Sequence, residues 1–123
     1  MEREEWKEKV LRCVRTYGST TFANLMQELG AGAKGEYALL VPGCRNLYIW
    51  QGLSKELTDA VGDLHEAGAI RFCPVDTMVY ALDGQVLHLP VSYEPKDHER
   101  PRWCPMAIEA NDKSGKKESV AEC

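Results

Sequence analysis

No apolar run in the 123-residue chain approaches the roughly 20 residues that a membrane-spanning helix needs, which excludes a helical membrane anchor. The first residues, Met1-Glu2-Arg3-Glu4-Glu5, are charged and lead into no apolar stretch, so they do not read as a secretory leader. Paired cysteines are lacking too: the five stand at 13, 44, 73, 104 and 123, an odd set with no Cys-x-x-Cys. A secreted disulfide framework favours an even set, so free thiols and a cytoplasmic, reducing compartment are expected. Cys73, His88, His98 and Cys104 lack the tight paired spacing of structural zinc sites, and no metal is expected.

Catalytic signatures are equally scarce. Gly30-Ala31-Gly32-Ala33-Lys34-Gly35 lacks the Lys-Ser/Thr ending of a phosphate loop. No cysteine falls on a strained turn or a helix start that would lower its pKa, and Cys44 alone sits in a loop where a reactivity test is worthwhile. Asp59 and Asp63 lie one helical turn apart, a spacing open to a cation but more often a solvated face. No enzyme and no cofactor are expected. A cationic excess is also missing: net charge is −4, whereas duplex binding draws on cationic contacts to phosphate.

What the chain does have is the material of one packed domain, since 44% of residues are hydrophobic and 28% charged. Over residues 2–17, Trp6, Val10, Val14 and Tyr17 recur at helical spacing, with Gly18 as the stop. Ser19-Thr20-Thr21 offers caps for a short second helix whose stripe is Phe22, Leu25, Met26 and Leu29, ended by Gly30. Residues 54–67 form a third helix, capped by Ser54, with Leu57, Ala60, Val61 and Leu64 as the buried stripe. Between the last two, Pro42-Gly43 separates two apolar runs and suggests a turn between extended segments, although 36–41 also fits a helix.

After Gly68 the period changes from 3.6 to 2. Ile70–Cys73, Met78–Leu82 and Gln85–Leu89 read as strands, with Asp83-Gly84 as a hairpin signal, so a three-stranded antiparallel meander is expected over Ile70–Leu89. A domain over 1–92 and a polar extension over 93–123 follow, with 109–123 disordered. Trp103 to Ile108 is a last apolar island, and Trp103 is expected to fold back onto the meander.

The order helix, helix, helix, hairpin resembles the winged-helix (winged helix-turn-helix) superfamily. The likeness is carried by residues 57–70, Leu-Thr-Asp-Ala-Val-Gly-Asp-Leu-His-Glu-Ala-Gly-Ala-Ile, and by Phe22 to Gly30. It implies an α+β fold of three helices and a small antiparallel meander. The connection between the second and third helices is elaborated, where typical members have a short turn. It further implies a third helix that enters the DNA major groove. The solvent-facing positions near that helix start are Ser54, Lys55, Thr58, Asp59 and Gly62, and Arg15 and Arg45 are further phosphate candidates. Residues 54–92 hold six acids against two bases, so the acidity is concentrated where DNA would have to approach.

Two functions in different classes follow. One is a DNA-associated, transcription-regulatory module. The other is an adaptor that uses the same fold to bind a protein partner, or a second copy, through Tyr37, Tyr48, Trp50 or Trp103. Those aromatics are equally suited to the domain's own core. By frequency among such folds the first stands slightly ahead.

Overall fold

Each helix begins where the sequence supplies a cap. The computed structural model describes residues 2–111. Helix α1 (Arg3–Tyr17) opens with a reciprocal capping box between Glu2 and Glu5, and Gly18 closes it at φ 79°. Its buried stripe is Trp6, Val10, Cys13 and Val14. Strand β1 (Ser19–Thr21) runs straight into helix α2 (Phe22–Leu29), where the Thr21 side chain accepts from the Asn24 amide. A 3-10 turn at Ala31–Ala33 leads to strand β2 (Lys34–Leu40), which pairs antiparallel with β3 (Leu47–Leu53). The 31–53 connection, open between strand and helix from the sequence, is therefore a hairpin.

Helix α3 (Lys55–Glu66) buries Leu57, Ala60, Val61 and Leu64 against α1. Strand β4 (Ile70–Pro74) follows, then helix α4 (Thr77–Leu82), strand β5 (Arg102–Trp103) and strand β6 (Met106–Ala110). Two three-stranded sheets result. One has the order β1-β6-β4 and is antiparallel throughout, with Thr20 opposite Ile108 and Phe72 opposite Ile108 on its other side. The other has the order β2-β3-β5, and its β3–β5 pair is parallel.

The second half departs from expectation. The meander over Ile70–Leu89 does not form: residues 77–82 are a fourth helix, and 85–89 make no strand. The cause is capping. The Asp76 side chain accepts from the Met78 amide and starts a helix, and Asp83-Gly84 ends it, the Gln85 amide returning to the Tyr80 carbonyl at 3.3 Å. The hairpin signal is thus a helix stop, and Tyr80 is the one α4 side chain that is buried. The partner of β4 is β6, drawn from the stretch expected to be an extension.

Residues 109–111 are ordered, contrary to expectation. Glu109 pairs with Arg71 at 2.7 Å, and Asn111 donates to the Gly68 carbonyl at 2.9 Å. The expected disorder of 112–123 falls outside the described residues. Trp103 does fold back, at 2% exposure, but onto β3 and α4 rather than a meander. Its indole donates to the Ile49 carbonyl at 3.2 Å. Cys13, Cys44 and Cys104 are free thiols, whereas Cys73 is disulfide-bonded, which corrects the expectation of free thiols throughout. Burial, and less so Glu28, pushes the Cys13 thiol up to about 11, so it stays protonated at neutral pH. Among the described residues no helix is long and apolar enough to cross a membrane.

The hairpin is held tightly to the start of α3. The Ser54 amide donates to the Ala33 carbonyl at 2.7 Å. A methyl at Gly35 would lie 2.7 Å from the Ser54 Cα and 2.8 Å from the Leu53 oxygen, both backbone atoms. Gly35→Ala is therefore expected to destabilise the protein by about 2 kcal/mol through overpacking, read as a lower urea midpoint.

Candidate functional site

The outward face of α3 is the surface that the resemblance singles out, and its residues are largely occupied within the domain. Ser54 is 6% exposed, and its hydroxyl oxygen accepts from the Leu57 amide at 3.1 Å. Thr58 donates back to the Ser54 carbonyl at 2.8 Å. The Lys55 ammonium sits 2.9 Å from the Asp59 carboxylate. One turn on, Arg3 of α1 reaches Asp63 through two hydrogen bonds of 2.5 and 2.8 Å. This hydrogen bonding holds the Asp63 carboxyl below the usual carboxylate range.

Arg15 and Arg45 are not brought to this face. Arg15 lies on the exposed side of α1, beside Glu8, Leu11, Arg12 and Thr16. Arg45 sits in the β2–β3 turn, its amide donating to Asp97 at 2.8 Å. Strand β3 separates it from Ser54, and seven residues of strand span roughly 20 Å. The five candidate nucleic-acid contacts therefore do not form one surface.

The four aromatic candidates divide. Tyr37 is 49% exposed on β2 and Tyr48 is half-buried. Trp50 and Trp103, at 3% and 2% exposure, are core residues and present no free face to a partner. Trp50 stacks on Tyr80 at 4.9 Å, and Trp103 meets Tyr80 edge-on at 5.2 Å.

Two surfaces escape a reading from sequence. Met78, Val79 and Leu82, at 61%, 39% and 79% exposure, share one face of α4. The clue to it is local: Asp76 as a cap, and Met78 four residues before Leu82. The second surface is a groove of about 380 Å³ between α3 and the β2–β3 hairpin, floored by Leu39, Ile49, Val61 and Phe72. A pairing across segments so far apart in sequence leaves no local signal. A further hollow of about 610 Å³ lies between the end of α2, β3 and residues 85–87. Its polar lining is Gln27, Lys34, Gln51 and Gln85. Among the described residues no group of three or more His, Cys, Asp or Glu is placed to hold a metal.

The chain matches no protein-family model, no curated protein and no solved structure.

Proposed function

We propose that the chain is a non-catalytic winged-helix module that binds protein. The fold part rests on chain order: α1, α2 and α3 are followed by the antiparallel pair β4 and β6, and β1 completes their sheet. In this reading β2–β3 is an insertion between the second and third helices. Residues 75–105, with α4 and β5, form a long wing turned back onto that insertion.

The choice of protein over DNA rests on one observation: the side chains of Ser54, Lys55 and Thr58 are each engaged within α3. Reading bases with them would break a cap and an ion pair while bringing Glu56, Asp59, Asp63 and Glu66 toward phosphate. The exposed apolar face of α4 favours the same reading.

A labelled random duplex titrated at low salt and at about 0.15 M tests it by fluorescence anisotropy. Lys55→Glu is expected to leave any duplex signal unchanged. Binding that weakens in that variant would restore α3 as a DNA reader and overturn the proposal.

A second reading, a DNA-associated regulatory module, is favoured by Lys9, Arg12 and Arg15 on α1. All three are exposed, with no ion-pair partner among the described residues. In that case duplex binding falls with Arg12→Glu, and the salt slope drops by about one for each phosphate no longer neutralised.

A further inference from the structure

We propose that the groove between α3 and the β2–β3 hairpin receives an amphipathic helix of a partner protein, apolar on one face and flanked by lysine or arginine. The inference rests on the protein-binding reading above and names the partner's chemistry. Three features of the groove carry it.

The first is its apolar floor. Leu39 and Leu40 of β2 stand across from Val61 of α3, and Leu40 remains 37% exposed. A space of about 380 Å³ holds side chains of a partner and is too small for the partner itself.

The second is charge. Asp59, Asp63 and Glu66 line the groove on the α3 side; Asp59 is paired with Lys55 and Asp63 with Arg3, which leaves Glu66, among the described residues, as the uncompensated carboxylate of that edge. Glu66 is exposed and has no ion-pair partner among the described residues. An apolar floor beside a carboxylate edge complements an apolar stripe beside cations, because steering and register come from the charges and affinity from the buried apolar contact.

The third is Gly62. It stands in the middle of α3 and lines the groove. Glycine is among the poorest helix formers, and its use in a helix interior is repaid where something approaches closely. No other element of the described domain does so: a methyl placed on Gly62 would find no atom within 4 Å. The helix backbone is bare on the side that faces solvent. The distance between packed helices is set by the side chains at their contact, so a bare position lets a second helix come close. A helix can make such a close crossing, and it is the occupant proposed.

The test uses the full chain and two labelled synthetic peptides of the same leucine and lysine content. In one, the leucines recur at i, i+3, i+4 and i+7; in the other they are scrambled around the helix. Anisotropy is expected to show the ordered peptide binding at least about tenfold more tightly than the scrambled one. Glu66→Lys is expected to weaken the ordered peptide and flatten its salt dependence. Gly62→Leu is expected to reduce its affinity by about tenfold or more.

Gly62→Ala separates binding from folding. It is expected to raise Tm by about 4 °C, because alanine favours the helix and meets no clash, and yet to weaken the ordered peptide. Equal binding of the two peptides, or undiminished binding to Gly62→Leu, overturns the inference. A duplex oligonucleotide supplies the remaining arm. If neither peptide nor duplex binds, this inference fails and the broader protein-binding reading stands. If the duplex binds wild type and loses affinity with Gly62→Leu, both fail.

Discussion

Replacing Trp103 with alanine is expected to destabilise the protein by about 4 kcal/mol, a large part of the roughly 5–15 kcal/mol typical of a domain this size. The side chain is 2% exposed and meets both Trp50 and Tyr80, at centroid distances of 5.9 and 5.2 Å. Its loss removes a large apolar surface and leaves a cavity where the hairpin, α4 and β5 converge. The Ile49 carbonyl, buried in β3, also loses its indole donor. Urea unfolding followed by far-UV circular dichroism checks this. The midpoint should fall with the slope little changed. A midpoint within experimental error of wild type would mean that β5 contributes nothing to holding the second sheet.

Tyr80→Phe is the second large effect, at about 3 kcal/mol, although it deletes a single oxygen. Tyr80 is fully buried, and its hydroxyl accepts from the Phe22 amide at 3.1 Å and donates to the Met106 carbonyl at 2.6 Å. One atom therefore ties the first turn of α2 to β6, from a helix that belongs to neither. The phenylalanine ring keeps the stacking on Trp50 but leaves a buried donor and a part-buried acceptor without their partner, groups worth about 1–3 kcal/mol each when left unsatisfied. Burial also pushes the Tyr80 hydroxyl well above the ordinary tyrosine range, so it stays protonated throughout the physiological range. A pair of thermal unfolding curves, wild type against variant, tests the figure. A Tm shift under about 2 °C would show that water satisfies the two groups.

The first half of the chain is legible in the sequence because its signals are local. Thr21 and Ser54 are caps in the sequence and caps in the fold, Gly18 and Gly30 end their helices, and the apolar stripes of α1 and α3 pack together, except that Tyr17, expected in the α1 stripe, is 50% exposed and donates to Glu28. Each depends on neighbours within about four residues. The second half is misleading for the opposite reason. Met78-Val79-Tyr80-Ala81-Leu82 alternates well enough for a strand, yet Asp76 caps a helix there and Tyr80 alone is needed in the core. Trp103 to Ile108 reads as an apolar island because the partners that turn it into strands lie at Leu47, Tyr48, Thr20 and Phe72. No window of residues contains that pairing.

The candidate site divides in the same way. Gly62 and Asp59 are visible from sequence as outward positions of α3. That Leu39 and Leu40 face them across a groove is a product of the inserted hairpin, which only the folded chain brings alongside. Arg15 and Arg45 are candidates by charge alone, and the fold scatters them.

Strand β6 is the middle strand of its sheet and comes from the far end of the described chain. During synthesis β1 and β4 therefore emerge with no partner to receive them, and β5, which completes the second sheet, emerges only just before β6. Helices α1, α2 and α3 and the β2–β3 hairpin can gather early, since they need nothing downstream of Glu66, but the first sheet waits for residues 106–110 to leave the ribosome and the second is completed only by residues 102–103. A nascent chain stalled before that point exposes the open edges of β1 and β4, and a chain truncated there has no native route to cover them. Productive folding of this domain is thus tied to completion of its C-terminal strands, and incomplete chains are the ones most exposed to aggregation and proteolysis.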